Sequence, residues 1–198
     1  MYNDFLLRAS DEHIWVSADV FIYFENVLTK WVQDMEIEHK YLIKELPSNL
    51  ESYKKKEIEQ GYLNRSPVLR IRKSNDKYIF TYKLKKAQDE KNAPICNEEI
   101  EAPLTREAYL HLKEKVDGNI IVKTRYIIPY SYDEKEYKIE LDVFHGKLEG
   151  LIFAEVEFES VEDAKSFRKP DWFGAEVSSD RRYRNGFMSE QENLDFLK

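Results

Sequence analysis

The sequence predicts an α+β protein built on an eight-stranded antiparallel β-barrel, a tunnel with a polar, charged interior and helices packed outside it. From residue 35 onward, apolar and polar residues alternate in short runs, which is the period-2 pattern of half-buried strands. Most connections between these runs are short, and short connections favour antiparallel pairing. The polar positions carry charges in like-sign pairs, which indicates an enclosed face more than a solvated one.

Residues 1–34 differ from the rest of the chain and are interpreted as an N-terminal extension. They hold six acidic and two basic residues, so they supply −4 of the formal net charge of −7. Their aromatic-rich stretch predicts one amphipathic helix from about Ser17, as N-cap, to Val32. The extension contains no pattern of residues that indicates chemistry.

The remaining residues, 35–198, are expected to form one domain. The alternation predicts eight strands, at 35–43, 57–64, 67–73, 77–86, 96–102, 119–129, 135–145 and 150–158. Four short helices are expected between and after them, near 48–55, 105–116, 160–167 and 189–197. Gly118 ends the second of these helices, and Ser160 is a capping-type start for the third.

Composition excludes several classes of protein. A nucleic-acid-binding protein usually has a basic surplus, whereas this chain has 31 Lys and Arg against 38 Asp and Glu. No stretch approaches the ~18 consecutive apolar residues of a membrane span. Cys96 is the only cysteine, so no disulfide forms within the chain. We therefore expect a cytoplasmic protein that binds neither nucleic acid nor membrane.

One face of the predicted strands carries most of the charge. Residues two apart on a strand share a face, and like-sign pairs recur at that spacing, as in Glu36 and Glu38, Arg70 and Arg72, Lys123 and Arg125, Glu140 and Asp142, and Glu155 and Glu157. Such side chains lie only ~7 Å apart and repel one another. The simpler interpretation is a solvated sheet face, but the pairs also separate into acidic and basic strands. This separation favours two opposed walls.

Two such walls would suit a polyanion bound together with divalent cations. Unpaired charges inside a barrel cost several kcal/mol each, roughly, and a bound ligand of opposite charge removes that penalty. Arginine and lysine contact phosphate oxygens, while carboxylates hold Mg²⁺ or Mn²⁺. The charged face is therefore a candidate binding site.

The motifs on this face make the chain similar to a known family. Glu36-Ile37-Glu38-His39-Lys40 resembles the Glu-x-Glu-x-Lys signature of the CYTH superfamily, the triphosphate tunnel metalloenzymes. The resemblance covers nearly all of residues 35–188 and is greatest to the compact bacterial members that hydrolyse inorganic triphosphate. Its further matches are Gln60-Gly61-Tyr62-Leu63, Leu69-Arg70-Ile71-Arg72, Thr81-Tyr82-Lys83, Glu99-Ile100-Glu101, Lys123-Thr124-Arg125-Tyr126, Glu140-Leu141-Asp142, Ala154-Glu155-Val156-Glu157 and Asp180-Arg181-Arg182-Tyr183-Arg184-Asn185.

The resemblance implies an eight-stranded tunnel, bound Mg²⁺ or Mn²⁺, and hydrolysis of the terminal phosphate of a triphosphate. The substrate that it favours is inorganic tripolyphosphate. The metal ligands it implies are Glu36, Glu38, Asp142, Glu155 and Glu157. The substrate contacts it implies are Lys40, Arg70, Arg72, Lys83, Lys123, Arg125 and, at the tunnel mouth, Arg182. The catalytic set it implies is Glu36, Glu38, Lys40, Lys83 and Glu140.

Three alternatives stay open under this resemblance. They are a class IV type adenylate cyclase, a thiamine or nucleoside triphosphatase, and a non-catalytic binder of polyphosphate. The acidic pairs argue against the binder, because a binder needs the basic wall more than a metal site. A homodimer is compatible with such a barrel. Since the signature begins at Glu36, Met35 is the expected natural start of the protein.

Overall fold

The structure, a computed structural model, describes residues 4–9, 12–17, 37–85 and 97–198. The chain forms two compact units, residues 1–34 and residues 35–198. In the first, β1 (Asp4–Ala9) pairs antiparallel with β2 (Glu12–Ser17). Ser17 thus ends a strand, and the rest of the helix expected up to Val32 lies outside the described residues.

The second unit contains an antiparallel sheet of nine strands in the order β11-β3-β10-β9-β8-β4-β5-β6-β7. Their bounds are β3 (Ile37–Ile43), β4 (Lys54–Arg65), β5 (Val68–Ser74), β6 (Lys77–Lys85), β7 (Asn97–Pro103), β8 (Asp117–Tyr132), β9 (Lys135–His145), β10 (Ile152–Phe158) and β11 (Phe173–Glu176). The predicted antiparallel sheet with few helices is confirmed. The sheet order is open among the described strands, so its closure into a barrel is not shown.

The count of eight strands was wrong by one, because the prediction omitted β11. This strand has only four residues, follows Pro170 and Asp171, and contains Gly174. It is therefore too short for an alternation of apolar and polar residues to be recognised. The β8–β9 hairpin closes with a turn of two residues between Tyr132 and Lys135. Asp133 and Glu134 both have positive φ, at 51° and 61°, which matches the twist of a two-residue hairpin turn.

In the described part of the chain, three short helices connect or follow the strands: α1 (Arg106–Lys113), α2 (Val161–Ser166) and α3 (Asn185–Met188). Thr105 and Ser160 cap the first two, since their hydroxyls accept hydrogen bonds from the amides of Ala108 and Asp163. The helices expected at 48–55 and 189–197 shrink to 3₁₀ turns at Leu50–Ser52 and Leu194–Leu197. Within the described ranges, no helix has the length and hydrophobicity needed to cross a bilayer.

The two faces of the sheet have different neighbours. One face carries an apolar cluster that includes Ile139, Leu141 and Val156 and is covered by α2 through Ala164. Because adjacent residues point to opposite faces, the charges at positions 140, 142, 155 and 157 lie on the other face.

The charged face has an apolar end. There Phe144 and Phe153 pack with 4.9 Å between ring centroids, and Tyr183 and Met188 from the end of the chain join the same cluster. We call residues 177–190 the C-terminal wall. This apolar cluster therefore borders the charged residues of the face at one end.

Candidate functional site

The strand register brings the charged pairs of different strands side by side. Glu155 on β10 lies opposite both Lys40 on β3 and Glu140 on β9, and Asp142 lies opposite Arg125 on β8. The same face continues across the other strands, where the register pairs are Gln60 with Arg72, Tyr62 with Arg70, Arg70 with Thr81, and Lys83 with Glu99. A shift of one residue in any strand would turn its charges to the opposite face, so register fixes this surface.

A cavity of about 610 Å³ opens on the charged face. It collects eight of the residues that the sequence singled out: Glu38, Lys40, Arg70, Arg72, Lys83, Arg125, Glu155 and Glu157. Lys123, Glu140 and Asp142 do not line it, because they lie beneath its surface and are almost fully buried. Arg182 does not line it either, and its guanidinium pairs with Asp180 at 2.8 Å. Glu36 lies outside the described residues.

Arg125 is the centre of a buried network of ion pairs. Its Nε donates to Asp142 Oδ1 at 2.6 Å and its Nη2 donates to Glu155 Oε2 at 2.5 Å, while its Nη1 donates to Glu140. Asp142 also accepts from Lys123 Nζ at 2.5 Å, and both of these side chains are 0% exposed. Buried charges are tolerated when each has such a partner. Both oxygens of Asp142 are therefore occupied by cations of the protein itself.

The network fixes the ionisation of its members. Burial opposes ionisation of Glu155, but Arg125 and Lys40 outweigh it and hold the pKa of the carboxyl well below its usual range. Burial likewise opposes the charge on Lys40, yet Glu155 and Glu38 raise the pKa of its ammonium above the ordinary value. Lys40 Nζ lies 2.9 Å from Glu155 Oε1 and also donates to the Tyr183 carbonyl at 3.2 Å. Lys40 is thus a fixed cation at the cavity surface.

Arg72 has the opposite environment. Within residues 37–85 and 97–198 no carboxylate forms an ion pair with it, and its buried Nε has no hydrogen-bond partner. Burial, Arg70 and Arg125 together lower the pKa of the Arg72 guanidinium to about 10, so it keeps its charge near neutral pH at a cost in free energy. Its neighbour Arg70 is better satisfied, donating to Thr81 Oγ1 at 2.9 Å and lying 3.4 Å from Glu99 and from Glu101. The cavity therefore contains a cation that an anion from outside would compensate.

Two carboxylates of the cavity suit a divalent cation. Glu38 and Glu157 are direct cross-strand partners, and like charges placed opposite each other destabilise a sheet unless a cation lies between them. Glu157 is 53% exposed in its side chain and its closest ion pair, with Lys138, spans 3.6 Å. In the part of the chain that is described, no three acidic or histidine side chains converge as a metal site. The donor set thus fits part of the oxygen shell that Mg²⁺ or Mn²⁺ prefers.

The sequence did not single out two arginines of the C-terminal wall, Arg181 and Arg184, which both line the cavity. Arg181 begins the 3₁₀ turn Arg181–Tyr183 and Arg184 follows its last residue, and side chains three apart on such a turn point to the same side. That spacing was visible in the sequence, where we favoured Arg182 instead. Glu99, Glu101 and Arg65 also line the cavity without having been given a role.

The chain is similar to proteins of known activity. A family model described as CYTH domain matches residues 34–185. A protein of Nitrosomonas europaea named inorganic triphosphatase is 33% identical over 153 residues, which cover 76% of this chain and 93% of that protein. A protein of the same name from Acetivibrio thermocellus is 31% identical over 146 residues, covering 69% of this chain and 82% of that one. The crystal structure of an inorganic triphosphatase aligns with a TM-score of 0.59 and 30% identity, over 81% of this chain and 98% of that one.

Proposed function

Because the chain belongs to the CYTH domain family, we propose that it is a hydrolase that cleaves the terminal phosphate from a triphosphate, and that its substrate is inorganic tripolyphosphate. The two relatives named inorganic triphosphatase support this substrate. We also propose that the open order of strands continues into a closed tunnel around the cavity. Residues 35–198 are the proposed catalytic domain.

The uncompensated charge of Arg72 is the observation that carries the proposal. A protein that used this face only for solubility would pair a partly buried guanidinium with a carboxylate, as it does for Arg125. A phosphate chain supplies the missing negative charge and accepts hydrogen bonds from Arg72 and its neighbour Arg70, bidentately where the geometry allows. Lys40 and Lys83 line the same cavity and extend the cationic surface.

The proposed metal ligands are Glu36, Glu38 and Glu157. A bound Mg²⁺ or Mn²⁺ neutralises charge on phosphate oxygens and lowers the pKa of a bound water. The structure favours a different role for Asp142 and Glu155, whose oxygens are engaged by Lys123, Lys40 and Arg125. We infer that these two carboxylates hold the cations in place.

The residues of the chain contribute mainly position and charge to the reaction. Arg70, Arg72 and Arg125 hold the phosphate groups in line for attack by water, and electrostatic preorganisation of this kind is commonly the largest part of catalysis. Lys40 stabilises negative charge that develops on the phosphate oxygens, because its raised pKa keeps it protonated. Glu140 acts from beneath the surface by holding Arg125. No covalent nucleophile is required.

Product analysis tests this function. The protein is incubated with Mg²⁺ or Mn²⁺ and, separately, with tripolyphosphate, ATP and thiamine triphosphate. We expect phosphate and pyrophosphate from tripolyphosphate at the highest kcat/KM of the three. Cyclic AMP with pyrophosphate from ATP would make the protein a cyclase, and no turnover of any substrate would make it a binder. Either result overturns the proposal.

A further inference from the structure

We propose that Arg181 and Arg184 form a specificity site that binds the uncleaved end of an inorganic polyphosphate and disfavours a nucleoside there. The inference rests on the proposed function and deepens it, because it names the feature of the substrate that the C-terminal wall recognises. Three properties of the wall carry it: the side on which these arginines lie, the rigidity of their backbone, and their lack of internal partners.

The 3₁₀ turn selects which arginines face the cavity. Asp180 caps the turn by accepting a hydrogen bond from the Arg182 amide at 2.9 Å, and its carboxylate also pairs with the Arg182 guanidinium. The Arg184 amide donates to the Arg181 carbonyl at 3.1 Å, which closes the turn. Arg181 and Arg184, three residues apart, therefore lie together at the cavity, while Arg182 is held outside it.

The backbone of the turn is anchored to the sheet. The Tyr183 carbonyl accepts from Lys40 Nζ at 3.2 Å, and the Tyr183 ring lies 6.5 Å from that of Phe153. On either side of the turn, the Val177 amide donates to the Lys40 carbonyl at 2.8 Å, and Met188 is fully buried. A binding site on a fixed backbone loses less conformational entropy when the ligand binds.

Neither arginine has a partner of its own within residues 37–85 and 97–198, where no carboxylate or hydrogen-bond acceptor contacts either guanidinium. The two acidic residues of the wall that line the cavity are already engaged, Asp180 with Arg182 and Glu190 with Arg65 at 3.5 Å. Arg181 and Arg184 are solvent-exposed at the cavity, so they add two cations without internal partners to a cavity that already contains Arg72. A phosphate group bound there would form charge-assisted hydrogen bonds with them.

The chemistry of the two ends of a substrate decides the preference. Each end of tripolyphosphate is a terminal phosphate with a doubly ionisable group, which suits two guanidinium groups. In a nucleoside triphosphate the corresponding phosphate is an ester, so it has less charge and carries a neutral sugar and base. Among the described residues that line the cavity, the aromatic rings are Tyr62, which is buried, and Phe187, which packs on Phe196 at 5.6 Å. This lining favours charge over a stacked base.

The test compares tripolyphosphate with ATP in Arg181→Gln, Arg184→Gln and the double variant. Arg168→Gln is the matched control, because Arg168 is equally an exposed arginine but lies outside the cavity. Hydrolysis of tripolyphosphate is measured with ATP as competing ligand. We expect the KM for tripolyphosphate to rise about tenfold for each arginine removed, with kcat nearly unchanged, and the inhibition constant of ATP to change by less than about threefold. Arg168→Gln should match the wild type.

Three results would overturn the inference: an unchanged KM in the double variant, an equal loss for tripolyphosphate and ATP, or the same loss in Arg168→Gln. These results are separate from a failure of the proposed function, which wild-type protein inactive on tripolyphosphate would indicate. If the wild type is inactive, calorimetric titration of the wild type and the double variant with tripolyphosphate and with ATP tests the specificity site instead. A double variant that loses affinity for tripolyphosphate but not for ATP supports the site. Thermal unfolding of each variant without ligand confirms that the fold is retained.

Discussion

Arg72 and Arg125 lie on one face of the same sheet, yet they have different electrostatic environments. Arg125 has three carboxylate partners, whereas Arg72 has none in the described ranges and a pKa lowered to about 10 by burial and by its cationic neighbours. A charge that folding leaves uncompensated reduces stability. We therefore interpret Arg72 as a residue retained for ligand binding at the expense of the fold.

The substitution Arg72→Gln should separate stability from activity. We expect kcat/KM for tripolyphosphate to fall at least about tenfold, because a phosphate contact is lost, while the free energy of unfolding rises by about 0.5–2 kcal/mol. Urea unfolding without phosphate measures the second quantity. Arg168→Gln, an exposed control, should change neither. An Arg72→Gln protein that is clearly less stable than the wild type would assign Arg72 a structural role.

Asp142 and Glu157 were both predicted metal ligands, and the structure predicts opposite effects for their removal. Asp142→Asn removes the carboxylate partner of the buried Lys123 and one of the three carboxylate partners of Arg125, and should destabilise the fold by about 3–5 kcal/mol. Glu157→Gln alters a half-exposed carboxylate, so stability should change by less than about 0.5 kcal/mol while activity falls at least about tenfold. Denaturant unfolding of both variants checks this. Equal stabilities would contradict the distinction.

Among the elements, the C-terminal wall depends on its contact with β8. Gly118 has a φ of +78°, and a Cβ there would lie 2.5 Å from the Ser189 carbonyl oxygen. The adjacent Asn119 amide donates to that same oxygen at 2.6 Å. A side chain at Gly118 would therefore push the wall away from the strand.

Gly118→Ala tests whether the wall acts on the substrate. Gly146→Ala is its control, since Gly146 also has a positive φ, +65°, but open space around the added Cβ. We expect Gly146→Ala to cost about 1–2 kcal/mol from backbone strain alone. Gly118→Ala should cost about 1–3 kcal/mol more from the clash and should also raise the KM for tripolyphosphate. Similar KM values in the two variants would show that the C-terminal wall does not contribute to binding of tripolyphosphate.

The elements also show which parts of the structure could be predicted from the sequence. Strands such as β8 and β9 were predictable because they contain many periods of alternation, whereas β11 and α3, with four residues each, contain none. Alternation placed Asp142 on the charged face correctly but carries no information on depth, so it could not distinguish the buried Asp142 from the half-exposed Glu157. Arg181 and Arg184 needed knowledge of a 3₁₀ turn, which local sequence specifies weakly.

At the scale of the whole molecule, residues 35–198 form one compact unit, and the family match begins at residue 34. We predict that a chain beginning at Met35 keeps the kcat/KM of the full chain for tripolyphosphate, since no charged residue assigned to the cavity precedes Glu36. Parallel assays of the two proteins check this. A large loss of activity in the shorter protein, with its thermal unfolding unchanged, would give residues 1–34 a part in the reaction.

The enclosure of a triphosphate by the charged face is the claim on which these proposals depend. Crystals grown with Mn²⁺ and a non-hydrolysable imido analogue of tripolyphosphate test it directly through anomalous diffraction. We expect a manganese peak between Glu38 and Glu157 and the phosphate chain inside the cavity against Arg70, Arg72 and Arg125. An analogue bound elsewhere, with these arginines facing bulk solvent around an apolar centre, would contradict the account.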